Sequence, residues 1–110
     1  MSVRVTVAER AQRDTDEHVD WLAKHASVAV ANRFFDAVLQ TIDKISESPD
    51  SGILWEPEDP FEIGDVQIFC RKITTFRNHL VYYRREQNGF RVLRVLHGSR
   101  DLSRISWAID

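Results

Sequence analysis

Cysteine, methionine, proline and glycine are all scarce: one, one, three and four of 110 residues. The single thiol, Cys70, has no internal partner, so no disulfide staples the chain. It lies in an apolar, strand-like run, where a buried structural thiol is expected rather than a reactive one. No apolar run approaches the ~20 residues that span a bilayer. The first residues, Met1-Ser2-Val3-Arg4-Val5, have no apolar signal-peptide centre. These absences lead us to expect a cytoplasmic protein with no membrane contact. Internal repeats and low-complexity segments are also lacking. We expect no cofactor and no metal.

What is present fits one soluble domain spanning residues 1–110, with an apolar share of 43 % and a charged share of 29 %. The net charge of −2 hides a partition. Residues 1–46 carry six cations and seven anions. Residues 47–65 carry seven anions (Glu47, Asp50, Glu56, Glu58, Asp59, Glu62, Asp65) and no cation. Residues 71–104 carry nine cations against Glu86 and Asp101. A near-neutral half thus leads through an acidic loop into a basic half, which speaks of partners or of internal pairing rather than of fold. The acids form either a solvated loop or a counterweight beside the basic sheet.

Val3-Arg4-Val5-Thr6-Val7 alternates with period two and reads as a short strand. Residues 9–24 then switch to helical spacing, with Ala11, Thr15, His18, Val19 and Leu22 on one face. His18 interrupts that face and is read as a core or boundary histidine. Trp21 flanks the stripe. Ser27 is a plausible N-cap for a second helix. Ala31, Phe34, Phe35, Val38, Ile42 and Ile45 give it a continuous apolar stripe, and Pro49 with Asp50-Ser51-Gly52 ends it. The short link between the two implies an antiparallel helical hairpin. Residues 50–65 read as a loop, in which Trp55 and Phe61 either tuck underneath or wait for a partner.

Strand patterns return at Val66–Ile73, His79–Arg85 and Phe90–His97. Asn88-Gly89 predicts a type I′ hairpin turn with positive φ at both residues. That turn sets Gln87 opposite Phe90, Arg85 opposite Val92, Tyr83 opposite Arg94, Val81 opposite Leu96 and Leu80 opposite His97. One face then collects Leu80, Tyr82, Leu93, Val95 and His97 and is expected under the helices. The open face collects Val81, Tyr83, Arg85, Val92, Arg94 and Leu96. Leu102, Ile105 and Ile109 fit a final turn or two of helix.

The expected fold is therefore α+β: β-α-α-β-β-β, a helical hairpin on a small, mainly antiparallel sheet. This order resembles the RelE/ParE superfamily of toxins from type II toxin–antitoxin systems. The resemblance rests on Ala11-x-x-Asp14 leading to Trp21-Leu22, Ala31-x-x-Phe34, Ile42-x-x-Ile45 and Pro49-x-x-Gly52. It continues with Leu80-Val81-Tyr82-Tyr83-Arg84 and the closing Arg94-Val95-Leu96-His97-Gly98-x-Arg100-Asp101. It covers nearly the whole chain.

Within the superfamily, RelE-like members are ribosome-dependent mRNA endonucleases, and ParE-like members inhibit DNA gyrase by binding. The chain leans to the ParE form. Members that cut mRNA often carry a tyrosine two positions after the closing Arg-Asp, where this chain has Ser103. Seven acids stand where lysines would reach RNA, and phosphate neutralisation supplies much of the affinity for RNA. The resemblance implies a non-catalytic gyrase inhibitor neutralised by a cognate antitoxin, whose C-terminal segment crosses the groove between hairpin and sheet. Trp21, Phe35 and Tyr83 are the expected antitoxin anchors, and Arg94 and Arg100 the expected cationic contacts to a partner. The alternative is a RelE-like endoribonuclease using Arg71, Arg77, His97 and Arg100. His97 is read first as a strand-end residue whose ring satisfies backbone groups at the Gly98 corner, and second as catalytic.

Overall fold

Alternation gives way to 3.6-residue spacing at Ala8, and the backbone follows. The computed structural model describes residues 3–55 and 66–99. Strand β1 (Arg4–Val7) leads into helices α1 (Glu9–His25) and α2 (Val28–Glu47). A short 3₁₀ turn at Pro49–Ser51 follows, then β2 (Ile53–Trp55), β3 (Ile68–Lys72), β4 (His79–Glu86) and β5 (Gly89–His97). Ser27 caps α2 as expected, its hydroxyl accepting the Val30 N–H at 3.0 Å. Pro49 cannot continue α2 and instead opens the 3₁₀ turn.

The five strands form one mixed sheet in the order β1-β5-β4-β3-β2. β1 runs parallel to β5, and the other neighbours pair antiparallel. This is the expected α+β architecture with one strand more. Ile53-Leu54-Trp55, read from sequence as loop, adds β2 at the edge of β3. The proline-rich, acidic composition around these three residues masked a strand too short to show its own period. Most of the acidic loop and the tail that could form a final helix lie outside the described residues. No helix among the described residues is long and apolar enough to cross a membrane.

The hairpin register departs from the sequence expectation. The turn is Gln87-Asn88, with Glu86 opposite Gly89, Arg85 opposite Phe90, Arg84 opposite Arg91 and Tyr83 opposite Val92. A bulge follows, because Leu93 has no partner, and Tyr82 then faces Arg94, Leu80 faces Leu96 and His79 faces His97. Asn88 does not take positive φ, and neither does Gly89. Gly89 serves another purpose. A Cβ there would meet the Arg4 carbonyl oxygen at 1.7 Å, so the glycine lets β1 close onto β5. The dipeptide was a true turn signal, but its glycine answers to the parallel neighbour strand rather than to the turn.

The two-residue shift keeps Tyr83 and Val92 on one face, as expected, but the helices cover that face and not the other. Val81, Tyr83 and Val92, expected on the open face, are fully buried and pack with Phe34, Val38 and Ile45 of α2. Tyr82 and Leu93, expected under the helices, instead join Ile68 and Leu96 in a second cluster. Val95 stays on the helical side, because the bulge reverses the alternation beyond Leu93.

Tyr83 also ties the sheet to the end of α2. Its hydroxyl donates to the Pro49 carbonyl at 3.1 Å, directly beneath Gly52. A Cβ on Gly52 would lie 2.0 Å from that phenolic oxygen. Gly52→Ala is therefore expected to lower stability by roughly 1–3 kcal/mol through overpacking. In urea unfolding the midpoint should fall with an unchanged slope. Tyr83→Phe should recover part of the loss in the double variant, because it removes the closest atom.

Candidate functional site

The helical hairpin does not cover the sheet evenly, and what it leaves open is apolar. α2 buries Ala31, Phe34, Ala37, Val38, Thr41 and Ile45 along one stripe. The neighbouring stripe, Phe35 and Leu39, remains 39 % and 49 % exposed. These two residues line a groove of about 270 Å³ with Val38 and Ile42 of α2, Ala11 and Thr15 of α1, Val7 of β1 and Val92 and Val95 of β5. Gln12 and Asp16 form its polar margin. An exposed groove walled by aliphatic side chains and one phenylalanine can accept the apolar face of a peptide segment.

Beside the groove stands a buried ion pair. Arg94 is 7 % exposed. Its Nε donates to Asp14 Oδ2 at 2.8 Å and its Nη2 to Asp14 Oδ1 at 2.9 Å. The same Oδ2 accepts the Val95 N–H at 3.0 Å, next to the bulge. This fork is the strong form of a charge-assisted bond, and it ties α1 to β5 at one point.

Along the seam, past the ion pair, aromatic rings gather. His18 of α1, His79 of β4 and His97 of β5 line a cavity of about 340 Å³ with Asp14, Glu17, Trp21 and Val95. Trp21 is 53 % exposed and stacks on His18 at 5.7 Å and on His25 at 4.6 Å. Burial pushes the His79 pKa down to about 4, helped by His18 and His97 nearby. His18 is lowered by burial and then by His97. His97 itself is exposed, and its Nδ1 accepts the Ser99 N–H at 3.1 Å. Gly98 completes the corner by donating to the Asn78 carbonyl at 2.7 Å. Among the described residues, no group of three or more His, Cys, Asp or Glu side chains is arranged to hold a metal ion.

The residues singled out from sequence separate accordingly. Trp21 and Phe35 present exposed rings. Tyr83 is sealed in the core, so it offers no ring to a partner. Arg94 is not on an open face across from Tyr83 but turned inward to Asp14. Arg94 and His97, expected on opposite faces, both approach α1, since Asp14 and His97 wall the same cavity. Arg71 directs its guanidinium to the Ser51 hydroxyl in the 3₁₀ turn, and Arg77 is exposed in the β3–β4 turn. Arg100 lies outside the described residues. Of the acids, Asp50 pairs with Arg85, so that part of the loop does neutralise the sheet.

Sequence reasoning missed three members of the site. Asp14 was noted only as a motif letter, His79 only as a strand start, and Leu39 not at all. The tighter turn alone would set His79 opposite Leu96; the bulge at Leu93, which has no sequence signal, brings it opposite His97. Leu39 follows Phe35 by four positions, which is the helical signature of a shared face.

The sequence profile described as "ParE toxin of type II toxin-antitoxin system, parDE" matches residues 5–102. The chain belongs to the ParE toxin family. No curated protein matches this ParE sequence. Among solved structures, it is similar to a chain of "Chromosomal ParDE TA system from P. aeruginosa", at a TM-score of 0.68 and 12 % identity. That match covers 87 % of this chain and 96 % of the other. At such identity the likeness speaks for the fold. The protein is thus a ParE toxin of a type II toxin–antitoxin system, and the family implies an antitoxin partner.

The buried pair of this ParE chain sets a stability test. Removing one partner strands a buried charge, so Asp14→Ala should cost about 3–5 kcal/mol. Replacing both at once, as in Asp14→Leu with Arg94→Met, should cost clearly less than the sum of the single changes. Guanidinium unfolding of the four proteins of this cycle measures the difference.

Proposed function

We propose that this ParE toxin inhibits DNA gyrase by binding, in the cytoplasm, without a catalytic residue of its own. We further propose that its antitoxin neutralises it by laying an apolar segment into the groove between the helical hairpin and the sheet. The observation that carries the antitoxin reading is the groove: exposed Phe35 and Leu39 stand over a floor of Val92 and Val95. An amphipathic helix or an extended segment with apolar anchors is the chemistry that fits.

The gyrase reading is supported by family membership and by where the described cations point. An endoribonuclease needs a base, cations and an acid converging on one phosphodiester. Arg71 is engaged by Ser51, and His97 is engaged at the Ser99 corner and beside His79. Arg94, the most central cation of β5, is held by Asp14.

Two measurements test the proposal. Purified toxin is added to a gyrase supercoiling and cleavage assay and, in parallel, to a translating ribosome with defined mRNA. Accumulation of gyrase-cleaved DNA with intact mRNA is expected. Codon-phased mRNA cuts that vanish in His97→Ala would overturn the gyrase reading. For the antitoxin, Phe35→Asp and Leu39→Asp should each weaken binding of the protein encoded by the neighbouring reading frame by about 10- to 100-fold. Both positions are surface-exposed, so the melting temperature should change little. Unchanged affinity in both variants would remove the groove from the antitoxin interface.

A further inference from the structure

Three histidines from three separate elements meet at one end of the α1–β5 seam. The ring centre of His18 lies 4.2 Å from that of His79, which lies 5.0 Å from that of His97. Phe34 of α2 closes the group from the core side, 4.6 Å from His18 and 5.3 Å from His79. Phe76, in the turn before β4, packs edge-on against Phe34 at 5.1 Å. Trp21 stacks on the outer side of His18. The three imidazoles are thus the polar members of an otherwise aromatic cluster that spans α1, α2, β4 and β5.

We propose that His18, His79 and His97 form a proton-operated latch: packed as one ring cluster they hold the C-terminal half of α1 on the sheet, and when acid charges the half-buried His18 and His79 the rings part, releasing that half of α1.

The surroundings give the charged state little to offset it. From α1, Asp14 and Glu17 line the same cavity, but Asp14 is committed to Arg94 and to the Val95 N–H. From β5 comes Arg94, a permanent cation, besides His97 itself. α2 meets His18 and His79 with the ring of Phe34. Among the described residues, no carboxylate forms an ion pair with any of the three imidazoles. Like charges at these ring separations in a half-buried site disfavour one another strongly. Separation is the simplest relief, and α1 is the element that can move, since β4 and β5 are paired from end to end.

The sign follows from the lowered pKa values. His79 falls from 6.5 to about 4, and His18 also falls. The closed cluster therefore holds fewer protons than the open one between those limits. Its contribution is complete above pH 6.5 and is lost as pH drops toward 4. For each of His18 and His79, neutral when closed and ordinary when open, the opening equilibrium rises about 25-fold between pH 7 and pH 5. Val95 lines both this cavity and the apolar groove, so opening the latch disturbs a wall of the groove whatever occupies it.

The full-length toxin can be tested directly. Histidine Cε1–H resonances are followed by NMR from pH 8 to pH 4.5, and amide hydrogen exchange is measured at pH 7 and pH 5 with correction for intrinsic rates. His18 and His79 should titrate well below 6.5 in coupled steps. Amides of residues 18–25 should lose about 25-fold protection or more, while those of Val81 and Tyr83 keep theirs. His79→Phe, which keeps a ring and removes a proton site, should shrink that loss by at least tenfold. Independent titration of His18 and His79 near 6.5 would overturn the latch, as would pH-independent protection of residues 18–25 or an undiminished loss in His79→Phe. Should His79→Phe not fold, the wild-type titration and exchange decide the matter.

Discussion

Asp14 and Arg94 face each other out of water on the seam between α1 and β5, and the position of the helical hairpin depends on them. The carboxylate receives two N–H bonds from one guanidinium and a third from the Val95 backbone. A buried pair of this kind adds little net stability over apolar residues of the same volume, but either charge alone is costly. Its consequence is positional. Only one rotation of α1 about its axis, and one position along β5, brings the carboxylate to both the guanidinium and the Val95 N–H. The bulge at Leu93 is the matching adjustment in the strand. It breaks the alternation so that Arg94 and Val95 both approach the helix, where a regular strand would send one of them away.

With α1 fixed there, the two neighbouring features follow. On one side Ala11 and Thr15 stand over Val92 and Val95, with Phe35 and Leu39 of α2 across from them, and the groove opens between. On the other side His18 and Trp21 meet His79 and His97. In the proposed reading the groove receives the antitoxin, since a toxin of a toxin–antitoxin pair must present a surface to it. The ring cluster adjoins the groove, since Val95 lines both.

The second fixed point is Tyr83, whose hydroxyl reaches the Pro49 carbonyl under Gly52 and closes the end of α2 on the sheet. Each helix of the hairpin is thus tied to the sheet by a polar group. A tyrosine expected on the surface turns out to be a core residue for this reason. The tighter turn and the bulge at Leu93 together bring His79 opposite His97.

Local pattern was enough for the elements and the class. Period two gave the first strand and the three long ones, period 3.6 with Ser27 and Pro49 gave the second helix, and their order with the closing motif pointed to the ParE family. These signals are short-range, carried by residues within one or two turns of each other. Trp21 was legible as a residue flanking its helical stripe, whereas Phe35 reads in sequence as part of the core stripe and only packing leaves it at an exposed margin. Tertiary structure alone decided the rest. Whether Gly89 served the turn or the approach of β1 depended on a strand 85 positions away in sequence. The bulge, and with it the burial of Arg94, depended on a carboxylate 80 positions away. Which face of the sheet the helices cover put Tyr83 rather than Tyr82 in the core, and the turn together with the one-residue bulge at Leu93 put His79 beside His97.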